Sequence, residues 1–195
     1  MKHLATGIVS ERACHGLDHF VAQAVKGSLA QPGTDFAISP TDDKVVNDNE
    51  REVVMLTVSS YLFRVLLFIH FDRNPALRSH LAALDGHPGE TLLDEDRFTD
   101  AMMERGNLCC GALNRDLAHF FPHIGMSTPC ILKRSSVEHV AAVNPAFTRR
   151  YRAEVGAGVA MHFTLALCAF ADLDFPFEPR AAEEVEDTAG ELEMF

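Results

Sequence analysis

The sequence predicts an α+β fold in which long helices pack on an antiparallel sheet. Two long segments, 10–31 and 97–121, carry apolar residues every three or four positions, which is the pattern of an amphipathic helix. Two further segments, 52–71 and 148–168, each contain two β-rich runs separated by a short turn, the pattern of a β-hairpin. With 195 residues, 47% of them apolar, the chain is long enough for one ordinary domain, which we place at residues 1–175.

The first half of the chain is predicted to begin with a helix. Ser10 is a suitable N-cap, and Pro32-Gly33 ends the apolar pattern. Pro40, paired acidic residues and Asn47-Asp48-Asn49 favour a loop up to residue 50. The other expected elements are an edge strand at 36–39, a hairpin of Glu52–Ser59 and 62–71, and a helix over Pro75–Leu84 that stops near Gly86 and Pro88.

The second half is predicted to contain the longest helix and a second hairpin. Residues 94–97 lead into the helix, a brief strand at Cys130–Lys133 follows Pro129, and a polar stretch extends to Asn144-Pro145. Residues 148–155 alternate charged and apolar side chains, and a second strand follows Gly156-Ala157-Gly158. That strand places one set of residues on one face: Met161, Phe163, Leu165 and Leu167. Residues 176–195 are acidic without an apolar period, so we expect a mobile tail.

Composition and charge exclude several classes of protein. Lys and Arg number 17 against 28 Asp and Glu, a net charge of −11, whereas a nucleic-acid binder needs a basic face. The longest uncharged run, residues 155–171, is shorter than the ~20 residues of a membrane helix, and no export signal is visible. The five cysteines lack C-x-x-C spacing, which is typical of reduced thiols. These features indicate a cytoplasmic protein that binds neither nucleic acid nor membrane.

One side of the helix at 97–121 carries the candidate functional residues. The helical period places an apolar stripe on one side and a polar stripe on the other. The apolar stripe contains Phe98, Met102, Cys109, Leu113 and Phe120, and the polar stripe contains Asp100, Glu104, Asn107, Gly111 and Asn114. A polar stripe alone is also the ordinary solvated side of a helix. Its short side chains, and the interior glycines Gly106 and Gly111 that each cost ~1 kcal/mol relative to Ala, favour close approach by another backbone.

The polar stripe resembles the motif of the CheC/CheX phosphatases. That family carries an Asp or Ser, a Glu after a gap of three, an Asn after a gap of two and a distant Pro, which here are Asp100, Glu104, Asn107 and Pro129. Gly111 also matches the family's usual glycine, and the single copy of the motif is CheX-like. The resemblance implies a homodimer whose long helices pack on one face of the sheet. It also implies hydrolysis of the aspartyl phosphate of a phosphorylated CheY-like receiver domain, in chemotaxis or two-component signalling.

The resemblance implies a role for each residue of the polar stripe. Asn107 would hold the attacking water in line, since a carboxamide has one acceptor and two donors and stays neutral beside an anion. Glu104, one turn away, would pair with the receiver's active-site lysine. Gly111 would give clearance to the partner, and Asp100 and Asn114 would contact it at the rim. The phosphate and its Mg²⁺ belong to the receiver, so the chain needs no cofactor or metal of its own.

Two other functions remain open from the sequence. The first is a catalytically silent domain that binds a receiver or switch protein as a scaffold. Arg105 and Gly106 replace the family's usual apolar pair, and this alternative holds if Gly106 loosens the helix enough to spoil the catalytic geometry. A metal site of Cys109, Cys110, His119 and His123 is less favoured, because Cys109 belongs to the apolar stripe and Pro122 should end the helix before His123. No phosphate-binding loop, dinucleotide fingerprint or nucleophile elbow occurs, so nucleotide binding and serine hydrolysis lack support.

Overall fold

The computed structural model describes residues 7–31, 33–41, 50–86, 93–156 and 158–178. In chain order its elements are α1 (Glu11–Leu29), β1 (Phe36–Pro40), β2 (Glu52–Ser59), β3 (Phe63–Phe71), α2 (Pro75–Leu84), α3 (Glu95–Ala118), β4 (Gly125–Met126), β5 (Cys130–Lys133), a 3₁₀ helix (Arg134–Val143), β6 (Phe147–Val155) and β7 (Val159–Ala169). Some predicted features lie outside the described residues: Pro32, Asn47-Asp48-Asn49, Pro88, Ala157 and residues 179–195 of the acidic tail.

Each α-helix begins where a side chain accepts one of its first N–H groups. Ser10 Oγ accepts the Ala13 N–H at 3.0 Å, which confirms the predicted cap of α1. Asn74 and Asp94 do the same for α2 and α3, each at 2.8 Å. Pro75 occupies the first turn of α2, where the missing N–H is not needed. Short polar residues therefore set the start of all three.

Within the described residues, seven strands form one antiparallel sheet. Its order is β1, β6, β7, β3, β2, β4, and β5 pairs with β2 as well. The first predicted hairpin is β2 with β3, where Leu56 lies opposite Leu67, and the second is β6 with β7, where Tyr151 lies opposite Phe163. Pairing of β3 with β7 joins the hairpins at the centre of the sheet. The predicted α+β fold with an antiparallel sheet is confirmed.

The main core lies between the α-helices and one face of the sheet. Alternate strand residues such as Leu56, Leu67 and Leu165 lie on this face and are inaccessible to solvent. The predicted apolar stripe of α3 packs here, with Phe98, Met102, Cys109 and Leu113 fully buried and Phe120 half-buried. The helices thus pack on one face of the sheet, as predicted. Of the helices in the described part of the chain, none is long and apolar enough to span a membrane.

The opposite face of the sheet is also partly buried. Phe68, His70, Thr164 and Cys168 lie on this face and are nearly inaccessible. The 3₁₀ helix reaches this face, since the Cys168 thiol donates to the carbonyl of its last residue, Val143, at 3.5 Å. The sequence predicted only a polar stretch here. A 3₁₀ helix without a fully buried residue leaves no apolar period by which to recognise it.

The C-terminal end of α3 differs from the prediction. The helix ends at Ala118 and not at residue 121. Phe121 precedes Pro122, whose ring disfavours the helical conformation of the residue before it. Phe121 is instead buried, with its ring centroid 4.9 Å from that of Phe63. Strand β4 was not predicted, because two residues are too few to show a strand pattern.

Candidate functional site

A cluster of ion pairs holds the first turn of α3. The Glu95 carboxylate accepts hydrogen bonds from Arg73 at 2.8 Å and from Arg78. Arg73 also donates to Glu52 on β2 at 2.6 Å. The guanidinium carbons of Arg73 and Arg78 lie 5.3 and 4.8 Å from the centroid of the Phe98 ring. The ion pairs and the packing of both guanidinium groups on the buried Phe98 ring thus fix the start of this helix. The Glu95 carboxylate also interacts favourably with the positive end of the helix dipole.

The polar stripe lies on the accessible side of α3. Asp100, Glu104 and Asn107 are exposed, whereas Gly111 and Asn114 are half-buried. At 1.5 Å per residue the stripe is about 21 Å long, which is long enough for a partner protein to dock along it. No described residue forms a hydrogen bond or an ion pair with the side chain of Glu104 or Asn107. Both side chains are therefore available to a partner.

The two glycines of the motif region face different surroundings. A Cβ added to Gly111 would meet no atom within 4 Å, so this position is open to a partner. A Cβ added to Gly106 would lie 2.7 Å from Val54 Cγ1 and 3.4 Å from Pro129 Cβ. The close neighbours of Gly106 are thus side chains of its own chain, and the predicted approach by another backbone is wrong at this position. The same contact brings Pro129 beside the turn that carries Asn107.

The end of the polar stripe is less accessible than its middle. Asn114 Oδ1 is buried and has no hydrogen-bond partner among the described residues. Asn114 therefore presents less polar surface to a partner than Glu104 or Asn107 does.

The cysteines of α3 belong to the core. Cys109 is fully buried, and burial raises the pKa of its thiol to about 12. Burial also raises the pKa of the Cys110 thiol to about 11. Thiols that resist ionisation are poor metal ligands. Within the part of the chain that the structure describes, no three His, Cys, Asp or Glu residues are grouped so that they could hold a metal ion.

A groove of about 660 Å³ between α1 and α3 was not predicted from the sequence. Its walls include His19 and Phe20 from α1 together with Arg115 and His119 at the end of α3. No residue of the polar stripe lines it. The groove exists only because α1 and α3 pack side by side, so neither helix alone shows it in its sequence.

Comparison with known proteins identifies the architecture. No family model matches the sequence, and no curated protein matches it. A CheC-like superfamily protein from Shewanella sp. PV-4 matches with a TM-score of 0.52 and 12% identity, over 81% of this chain and 98% of that chain. A chain of the CheX–CheY–BeF3–Mg complex from Borrelia burgdorferi matches with a TM-score of 0.58 and 9% identity, over 80% and 97%. The fold is CheC/CheX-like.

The CheC/CheX-like fold covers most of the chain. The chemotaxis protein CheX from Vibrio vulnificus also matches, with a TM-score of 0.50 and 12% identity over 78% of this chain and 96% of that chain. At identities this low, the likeness establishes how the helices and sheet are arranged and does not assign roles to residues. The roles expected for Glu104 and Asn107 rest on their spacing and on their exposure along α3.

Proposed function

We propose that this chain dephosphorylates the aspartyl phosphate of a CheY-like receiver domain, in chemotaxis or another two-component pathway. The observation that most directly supports this is the pair Glu104 and Asn107, one turn apart on the exposed side of α3 and without partners among the described residues. The CheC/CheX-like fold and the presence of CheY in one matching structure favour a receiver domain as the partner.

Asn107 would supply the group that positions water. Hydrolysis of a phosphoryl group depends mainly on in-line placement of the water and on compensation of charge. The carboxamide oxygen can accept a hydrogen bond from the water, while the amide N–H groups donate to nearby oxygens. An amide adds no negative charge beside the phosphoryl group, whereas an aspartate here would repel it. Because Gly111 is open one turn further along, the receiver backbone can approach this part of α3.

Glu104 would supply a fixed negative charge to the complex. A phosphorylated receiver needs cations around its phosphate, and an exposed carboxylate one turn from Asn107 can pair with a lysine there. This ion pair would anchor the complex and weaken the hold of that lysine on the phosphate. Asp100, Gly111 and Asn114 would complete the docking surface along α3. The net charge of −11 favours a partner with basic residues around its binding site.

The phosphate and Mg²⁺ would enter the complex with the receiver. The chain itself would contribute only side chains that bind the receiver and position the attacking water. We further propose that it works in the cytoplasm and as a homodimer.

The decisive experiment measures the lifetime of the phosphorylated receiver. Receiver domains from the same organism are labelled with radioactive phosphate, and label loss is followed with the original chain, Asn107→Ala, Asn107→Asp and Glu104→Ala. Gln23→Ala is a matched control, because it removes an exposed carboxamide from α1. We expect the original chain and the control to shorten the lifetime equally. Both Asn107 variants should lower the rate by about 100-fold through lost positioning, and Glu104→Ala should also weaken binding.

Two results would contradict this function. If the original chain binds a receiver and leaves its phosphate lifetime unchanged, the chain is a scaffold and not a phosphatase. If it neither binds a receiver nor alters its phosphate, the phosphatase function and a scaffold function on receivers are both refuted.

A further inference from the structure

The buried side of α3 contains a residue that would control the reaction without touching the receiver. Gly106 lies between Glu104 and Asn107 in the sequence and is buried against the sheet. We propose that Gly106 is a positioning residue, which sets the place of Asn107 by letting α3 rest directly on β2 and Pro129. This role rests on the proposed phosphatase function.

The contact at Gly106 is too close for any side chain. An added Cβ would lie 2.7 Å from Val54 Cγ1, whereas ordinary contact begins near 3.4 Å. It would also lie 3.4 Å from Pro129 Cβ and 3.5 Å from Leu56 Cδ2, so side chains enclose the position on several sides. A methyl group here would have to move away from Val54 by about 0.7 Å.

Val54 has little freedom to make room for such a methyl group. It is fully buried in β2, opposite Ile69 of β3 and opposite Ile131 of β5. Strands on both sides therefore fix its backbone. A β-branched side chain also has few alternative rotamers. The displacement would therefore fall on α3.

The helix cannot absorb the displacement by moving as a whole. Just before Gly106, the Arg105 guanidinium donates to the Asp85 carboxylate at 3.0 Å, and the Arg105 side chain is only 14% exposed. Two turns beyond Gly106, Leu113 is fully buried in the core. A methyl at residue 106 would therefore bend α3 locally and shift Asn107 relative to the ends of the docking surface. Catalytic geometry tolerates displacements of only about 0.5 Å.

The test compares binding with turnover in three variants. Gly106→Ala introduces the methyl, and Gly106→Ala/Val54→Ala removes the group that it meets. Gly27→Ala is the control, since it adds the same methyl to α1 where no atom lies within 4 Å. The affinity for the receiver and the rate constant of dephosphorylation in the preformed complex are measured for each. We expect Gly106→Ala to bind but to lose roughly 10- to 100-fold in rate, the double variant to recover most of the rate, and Gly27→Ala to match the original chain.

The results separate this role from the function on which it rests. If the original chain hydrolyses the phosphate and Gly106→Ala does so equally fast, the role of Gly106 is refuted and the function stands. A lost rate that Val54→Ala does not restore also refutes the role, because the loss then has another cause. An inactive original chain refutes the function and the role together.

A further variant covers the case in which Gly106→Ala does not fold. Val54→Ile extends the β2 side of the same contact and keeps the glycine. It should lower the rate while leaving receiver binding intact, and an unchanged rate would refute the role of Gly106.

Discussion

Acidification should destabilise this fold through a single buried histidine. His70 lies in the sheet on the face opposite the α-helices, 1% exposed, with Nε2 2.9 Å from Thr164 Oγ1. The pKa of His70 is lowered from 6.5 to about 4, mainly by burial and in addition by the neighbouring His162, Arg134 and Arg150. His70 is therefore neutral in the folded protein at pH values where the unfolded chain is already protonated.

The sign and size of the effect follow from this difference in pKa. Between pH 6.5 and about 4 the unfolded chain binds more protons than the folded protein does at His70. The contribution of His70 to the free energy of unfolding is fully present above pH 6.5 and is lost as the pH falls towards 4. At about 1.4 kcal/mol per pKa unit, the loss is on the order of 3 kcal/mol. That is a large part of the roughly 5–15 kcal/mol that stabilises an ordinary domain.

Urea unfolding at a series of pH values from neutral to acidic measures this loss. The variant His70→Leu/Thr164→Val removes the ring together with its hydrogen-bond partner, so that neither partner of the pair is left unpaired. Thr164→Val alone is the control, because it keeps the titrating ring. The double variant should lose much less stability than the original chain on acidification. If the double variant and the original chain lose the same free energy of unfolding on acidification, His70 is not the cause.

Two further predictions concern the thiols of α3 and the cap of α1. Since burial raises the pKa of Cys109 to about 12 and that of Cys110 to about 11, both thiols should resist iodoacetamide at neutral pH until the chain unfolds. Mass spectrometry after a pulse of reagent checks this, and labelling of the native protein would contradict it. Ser10→Ala should lower the free energy of unfolding by about 1 kcal/mol, because it removes the acceptor of the Ala13 N–H. Thermal unfolding measures the change, and an unaltered midpoint would show that the cap is dispensable.

The elements that the sequence could predict are those with a local pattern. The helix over Pro75–Leu84 and the strand Glu52–Ser59 have the predicted bounds, because apolar periodicity and capping residues lie within the segment that they specify. The 3₁₀ helix and β4 could not be predicted in this way. The first has no apolar period, and the second exists only through pairing with β2.

The candidate site also has some features that follow from a local sequence pattern and others that depend on distant segments. The spacing of Asp100, Glu104 and Asn107 placed them on one side of a helix, and the structure shows that side exposed. The groove between α1 and α3 and the packing of Gly106 could not be predicted from the sequence of α3 alone. Both depend on elements that are distant in the chain and adjacent in space.

By itself, the sequence determined that this protein has long amphipathic helices, two hairpins and a polar stripe on α3, because the spacing of side chains along a helix or strand is a local property. Only the tertiary structure shows what Gly106 packs against. In the sequence it is an interior glycine that weakens a helix. In the fold it lies against Val54 and Pro129, which approach it only once β2 and the segment before β5 are in place. Which residue a buried position meets is set by packing between distant segments.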